Sequence, residues 1–231
     1  MKSVIITSTH PRHKYFAGML SNLVSVEKYF FEDKPISSES LYNKEKVIFE
    51  DFVDWNPLSP FIVLSKGEIN AKERVCNIRE CKPDVIFTFG CSLLDKEVFS
   101  IPKYGCINIH TGIVQHFRGV DSAFWAIRDE KPEGIGATIH YIDETIDAGE
   151  IIAQKSAHIE TDDDVDDLFL KSCIVGFEAL KESLRDIENR SVQSFKMEKK
   201  GKLYQTKHKT PEIEQEVQAK IGRVLEEYLN D

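Results

Sequence analysis

Between Pro83 and Gly90 the chain reads Asp84-Val85-Ile86-Phe87-Thr88-Phe89, an apolar run with almost no polar alternation. A strand with one wetted face alternates apolar and polar residues, whereas a continuous run fits a strand covered on both faces. Such strands belong to parallel sheets held between helix layers, so this one segment steers the chain toward an α/β architecture. The neighbouring segments agree. Val4-Ile5-Ile6 is a second short β-branched run, and Tyr15, Phe16, Met19 and Leu20 after it predict a helix over 14–23. Helices are also predicted over 43–55 and 68–81, while Phe61-Ile62-Val63-Leu64 between them fits either a strand or a buried loop.

Beyond Gly90 the pattern predicts a short helix near 95–99, a strand at Cys106-Ile107-Asn108-Ile109 and a helix over 122–128. Two further strands are predicted over 136–142 and 151–159. Strands alternating with helices give an open, mostly parallel, twisted sheet flanked by helices. Ligands of such sheets bind beyond the carboxyl ends of the strands, where Gly90 and His110 fall. Thr161 and the acidic turn Asp162–Asp164 read better as a helix start than as a metal site, with Thr161 as N-cap of a helix running to about residue 188. Lys200-Gly201 signals a hairpin, and Ile213, Val217, Ile221 and Leu225 mark a terminal helix. The expected organisation is therefore a main domain over 1–190 and a small hairpin-plus-helix extension over 191–231.

The formal net charge of -9 argues against broad nucleic-acid binding, which needs a concentrated basic surface. A compact basic pocket for one phosphorylated small molecule is compatible with it. The opening MKSVIITSTH is too short for a secretory apolar region, and no stretch approaches the roughly 18 apolar residues of a membrane span. The five cysteines are odd in number and contain no C-x-x-C pair, which fits reduced thiols. A cytoplasmic protein without metal is the expectation.

The segment richest in chemistry runs from Tyr104 to Gln154. Strand alternation puts Asn108 and His110 on one side, with Ile109 facing the opposite layer. Two polar groups at the end of an apolar segment need partners, and Asp147, in the turn Asp147-Ala148-Gly149, is a candidate. Taken singly, Asn-x-His is most often structural, and Asp-Ala-Gly is by default a turn before a strand.

Together, PKYGCINIHTG, FRGVDSAFWAI and GATIHYIDETIDAGEIIAQ resemble the folate-dependent formyltransferases. That group includes glycinamide ribonucleotide, methionyl-tRNA and sugar N-formyltransferases, and the resemblance extends from about Asp84 to Thr161. It implies a Rossmann-like formyltransferase domain and a 10-formyltetrahydrofolate cosubstrate, with Asn108, His110 and Asp147 catalytic. It also implies a pterin pocket formed by two loops, with Phe89, Gly90, Cys91, Ser92 and Leu94 in one and His140, Asp143 and Thr145 in the other. Leu93 and Leu94 fit the pocket or the core equally.

The chemistry suits these residue types. An unprotonated amine attacks the formyl carbon, and Asn108 and His110 can donate hydrogen bonds to the oxyanion that develops. Asp147 would orient His110 and stabilise positive charge on it. Either His110 or Asp147 can take the proton lost by the amine. His116, His140 and His158 carry no step in this scheme. The family often continues Pro-Ser-Leu-Leu-Pro after the catalytic His, where this chain has Thr111-Gly112-Ile113-Val114-Gln115-His116-Phe117. That departure lies on the acceptor side.

The chain is short for the added basic domain of a methionyl-tRNA enzyme. The segment Ser8 to Lys14 also lacks the Gly-rich turn with which glycinamide ribonucleotide enzymes hold phosphate. The resemblance therefore points to a nucleotide-linked amino deoxysugar, with lipopolysaccharide O-antigen biosynthesis as the expected setting and a homodimer as a possible assembly. His10, Arg12, Lys14 and Arg118 are the substrate-side candidates. Arg12, His13 and Lys14 at a helix N-terminus suit a diphosphate or, equally, a solvated helix start. Arg118 fits loop ordering as well as acceptor contact, Asp121 and Ser122 suit helix capping, and Phe124 and Trp125 suit a core. Other readings are a different amine formyltransferase, a formyltetrahydrofolate hydrolase and a non-catalytic folate-binding relative.

Overall fold

The computed structural model describes residues 1–36 and 38–230. In chain order its strands and helices are β1 (Lys2–Ser8), α1 (Pro11–Ser21), β2 (Ser25–Glu32), α2 (Glu39–Ile48), β3 (Phe61–Leu64), α3 (Lys72–Cys81), β4 (Val85–Phe89) and α4 (Lys96–Phe99). The rest are β5 (Cys106–His110), β6 (Phe117–Gly119), α5 (Ser122–Arg128), β7 (Gly136–Tyr141), β8 (Ile151–Ser156), α6 (Val165–Asn189), β9 (Lys202–Tyr204) and α7 (Pro211–Asn230). Seven strands make one mixed, mostly parallel sheet in the order β3-β2-β1-β4-β5-β7-β8.

The residues that predicted a doubly covered strand behave as one, since every residue of β4 is buried. β4 pairs parallel with β1, Ser3 to Ile6 lying opposite Val85 to Thr88. β2, for which the sequence carried no expectation, runs parallel to β1 on its other side. Its end, Tyr29 to Glu32, pairs with Phe61 to Leu64, so the ambiguous apolar stretch is a strand. β7 and β8 are antiparallel.

The chain forms two compact units, Met1–Asn108 with Tyr141–Glu144 and Ile109–His140 with Thr145–Asp231. In the first, Val4, Ile6, Phe30, Leu64, Ile78 and Ile86 belong to one buried cluster. In the second, Phe117, Phe124, Trp125, Leu168, Tyr204 and Leu225 share another. Phe124 and Trp125 are thus core residues. The N-cap of the long helix α6 lies three residues later than expected. Asp164, not Thr161, is the N-cap, and Asp164 and Asp167 close a reciprocal capping box.

Residues 191–231, expected as a separate hairpin-plus-helix extension, belong to the second unit, and the tail does not turn back on itself at Lys200-Gly201. β9 instead pairs parallel with β6, Phe117 to Gly119 lying opposite Lys202 to Tyr204. The physical reason is a better partner. Tyr204 stacks on Trp125 with ring centroids 3.9 Å apart, and its hydroxyl donates to Asp129 at 2.7 Å. Among the described residues no helix is long and apolar enough to cross a membrane, and no group of three or more His, Cys, Asp or Glu is placed to hold a metal ion.

Candidate active site

β5 carries Asn108 and His110 two residues apart. The Thr88 hydroxyl donates to Asn108 Oδ1 at 2.8 Å, which fixes the amide plane and makes Nδ2 its donor end. Thr88 had no role in the sequence reading. Its only signal was a lone hydroxyl inside the apolar run.

In the second unit, His110 is buried and lies between three groups. Its Nδ1 is 3.4 Å from Asp147 Oδ2, while Nε2 is 3.1 Å from the Phe117 carbonyl and 3.1 Å from Ser122 Oγ. Asp147 is held in turn by the Gly119 N–H, which donates to Oδ2 at 2.8 Å. It also has a left-handed backbone, φ 47°, a strained conformation for a residue with a side chain. His140 is buried with Nε2 3.7 Å from Asp147 Oδ1. The carboxylate therefore lies against two imidazoles and one backbone amide.

Arg118 donates from Nε to the Gly201 carbonyl and from Nη1 to the Ile146 carbonyl, both at 2.9 Å. Those bonds tie the segment before Asp147 to the tail, which is a loop-ordering geometry. Asp121 occupies the N-cap position of α5 but makes no capping bond with its side chain; its carboxylate faces Lys209. Ser122, read from sequence as a cap, directs its hydroxyl to His110 instead.

In the first unit, the loop after β4 carries Phe89 to Leu94. Gly90 has φ +60°, and a Cβ there would collide with the His13 ring. Ser92 Oγ is buried without a hydrogen-bond partner. The missing side chain at Gly90 leaves room for the His13 ring, and the buried Ser92 hydroxyl is left without a protein partner. Cys91 has its thiol pushed up to about 12 by burial and by the nearby Glu32 carboxylate, which disfavours the thiolate. Asp143 is exposed at the other loop, and Thr145 is exposed in the second unit.

The segment after β1 has its charges engaged. Arg12 forms an ion pair with the buried Glu45. Lys14 Nζ donates to the Val53 carbonyl at 2.7 Å, and His10 Nε2 lies 3.0 Å from the Lys34 carbonyl. Burial raises the Glu45 carboxyl, with Arg12 opposing the shift. Removing Arg12 alone leaves that carboxylate buried and uncompensated, so Arg12→Ala is expected to lose about 3 kcal/mol of stability. Urea unfolding at neutral pH checks this; an unchanged midpoint would mean the pair contributes nothing net. Lys14→Gln, which leaves Glu45 paired, isolates any role in holding acceptor phosphate. It is expected to raise the acceptor KM while leaving the midpoint in place.

The pattern of the family described as Formyl transferase matches residues 60–184, just over half of the chain. The chain belongs to the formyl transferase family. This formyl transferase relative is 36% identical over 131 residues to a methionyl-tRNA formyltransferase from Lysinibacillus sphaericus, covering 56% of this chain and 41% of that protein. The chain thus spans about two fifths of the length of that curated relative. In structure it is similar to a sugar N-formyltransferase from a Shewanella species, with TM-score 0.66, 20% identity and coverage of 90% and 78% of the two chains. It is also similar to the formyltransferase PseJ from Anoxybacillus kamchatkensis, with TM-score 0.63, 19% identity and coverage of 97% and 100%. At these identities the structural likeness establishes the fold.

One buried group gives this formyl transferase a pH signature. His13 is fully enclosed, its Nδ1 2.9 Å from Thr7 Oγ1 and 3.2 Å from the Phe89 carbonyl. Burial, reinforced by Arg12, His10 and Lys34, holds its pKa well below the ordinary value of 6.5. Below that value the unfolded chain binds a proton that the folded chain refuses. Stability should therefore fall as the pH drops from about 6.5 toward the folded-state pKa, by up to about 1.4 kcal/mol per pH unit. His13→Asn keeps a donor near the Nδ1 position but does not titrate. Urea midpoints from pH 7.5 to 5 should show a shallower acid slope for this variant; identical slopes would place the sensitivity elsewhere.

Proposed function

We propose that the chain is a folate-dependent N-formyltransferase that moves a formyl group from 10-formyltetrahydrofolate to the amino group of a nucleotide-linked amino deoxysugar. The observation that carries the reading is the pairing of buried His110 with the half-buried Asp147, which is fixed by the Gly119 N–H. The formyl donor supplies an electrophilic carbonyl. Asn108, with its amide plane set by Thr88, presents Nδ2 as a donor, and His110 is the second donor to oxygen as negative charge builds there. Asp147 aligns the imidazole and holds a negative charge beside it. His110 or Asp147 accepts the proton released by the amine, the bond between the formyl carbon and N10 breaks, and tetrahydrofolate leaves with a proton taken up on that nitrogen. Phe89, Gly90, Cys91, Ser92 and Leu94 are the proposed donor-side loop, with His140, Asp143 and Thr145 on the second loop. His10, Arg12, Lys14 and Arg118 are proposed for the acceptor side, although each makes the internal bonds described above.

The sugar acceptor is supported by PseJ, whose structure holds UDP-4,6-dideoxy-4-formamido-L-AltNAc and tetrahydrofolate and which this chain covers end to end. O-antigen assembly in the cytoplasm is the setting this acceptor suits. A second reading, methionyl-tRNA, is favoured by the curated sequence relatives, which bear that name; the net charge of -9 weighs against it. Mass spectrometry after incubation with 10-formyltetrahydrofolate separates the readings. The panel contains nucleotide-linked amino sugars, glycinamide ribonucleotide, methionyl-tRNA and a no-acceptor control. A sugar product heavier by one formyl group, absent with His110→Ala, is the expected result. A formylated tRNA would support the second reading, and folate deformylation without acceptor would support a hydrolase. Absence of turnover despite folate binding would overturn the transferase reading for this panel.

A further inference from the structure

The carboxyl end of β2 holds a charged group that the proposed chemistry does not use. Glu32 is 0% exposed, yet it is a carboxylate at the end of a strand. Burying an ion this completely is costly unless both oxygens find donors, and here they do. Oε1 accepts the Gly67 N–H at 2.9 Å, and Oε2 accepts the Ser92 N–H at 2.7 Å. Lys34 Nζ stands 3.7 Å from Oε2 and donates to the Gly90 carbonyl at 2.7 Å. The ion pair thus grips the loop after β4 twice, once by a backbone N–H and once by a backbone carbonyl, two residues apart.

Other side chains complete the hold. Thr7 Oγ1 donates to the Phe89 carbonyl at 2.7 Å, and Asn70 Nδ2 donates to the Leu93 carbonyl at 2.9 Å. Of these contacts, those to Glu32 are charge-assisted and shielded from water, which makes them the strongest. They are also the contacts beside the unpartnered Ser92 hydroxyl. A loop that must receive a flat ring loses affinity if it has to be ordered on binding, and gains it if it is ordered beforehand.

From this geometry we infer that Glu32, with Lys34, is a positioning residue that preorganises Gly90–Ser92 for the formyl donor and thereby sets the donor's affinity. The inference rests on the proposal that this loop is the donor's. Glu32 touches no reacting atom, so its loss should act on binding and spare the chemical step.

The test pairs steady-state kinetics with hydrogen–deuterium exchange on the purified full chain. In Glu32→Gln one backbone N–H faces an amide NH2 instead of an oxygen, and the charge opposite Lys34 is gone. Exchange over residues 88–94 should rise, and the KM for 10-formyltetrahydrofolate should increase on the order of tenfold. The kcat and the acceptor KM should stay within about twofold, since ordering a binding loop bears on affinity. Lys34→Met, at a partly exposed position, should move the same two readouts in the same direction by less, and it carries the test if Glu32→Gln does not fold. Unchanged exchange in a folded variant would overturn the clamp itself. Raised exchange with an unchanged donor KM would show a real clamp on a loop that is not the donor's, and would overturn the inference through the reading on which it rests. A fall confined to kcat would overturn it by placing Glu32 in the chemistry.

Discussion

Replacing His110 by Ala is expected to lower turnover by a factor on the order of 100 or more while the protein stays folded. The expectation follows from what surrounds the ring. Its Nδ1 faces Asp147, and its Nε2 lies between the Phe117 carbonyl and Ser122 Oγ, so its plane is set before any substrate arrives. A donor held in place costs no reorganisation when charge appears on the formyl oxygen, and that is where hydrogen bonds contribute most to rate. Asn108→Ala removes the other donor and should show a loss of similar size. The Thr88 hydroxyl would then be left without the Oδ1 acceptor it uses at 2.8 Å, although it also lies 3.3 Å from the Ile107 carbonyl. Initial rates at saturating donor and acceptor, together with urea midpoints, check both variants. Full activity in either folded variant would remove that residue from the mechanism.

The second large effect is expected at Asp147. Asp147→Asn preserves shape and can still accept the Gly119 N–H, but it removes the charge beside His110. A fall in kcat on the order of 100-fold, with a small change in donor KM, is expected, because a carboxylate that orients an imidazole acts chiefly as charge develops. Asp147→Ala also removes the acceptor for Gly119 and any reason for a residue with a side chain to keep φ 47°. The Ala variant should therefore be worse than Asn in both rate and stability. Equal rates for the wild type and the Asn variant would show that the charge is not used. Equal losses for Asn and Ala would show that the anchor to Gly119 adds nothing to the charge.

Much of this site was legible in the sequence because it depends on local geometry. Asn108 and His110 share a side because they are two apart on one strand, and the apolar run at Val85–Phe89 announces a buried sheet without knowledge of its partners. What was not legible depends on contacts far apart in sequence. β2 mixes Glu27, Lys28 and Glu32 with Tyr29, Phe30 and Phe31, and shows no clean period. Glu32 finds its two N–H donors 35 and 60 residues away, so nothing near it in sequence separates it from a solvated glutamate. Thr161 and Asp164 are both cap-forming residue types, and the partner Asp167, which closes the capping box, favours the second. Ser122 looked like a cap for the same reason, until the fold placed its hydroxyl against His110. The basic run Arg12-His13-Lys14 looked uniform, yet its three members meet a buried carboxylate, a buried carbonyl and a loop carbonyl respectively.

The pairing of β6 with β9 has a temporal side. Gly119 supplies the amide that holds Asp147, and it is also the residue whose partner in β9 is Tyr204. Its φ of +92° brings it so close to the Tyr204 carbonyl that a Cβ would overlap that oxygen. On the ribosome, the segment carrying Asn108, His110 and Asp147 emerges well before Lys202–Tyr204 is made. A nascent chain halted in that interval would hold all three residues yet lack the strand that pairs with the one anchoring Asp147. The Asp147 carboxylate would then find its final seat only late in synthesis, after most of the protein around it exists.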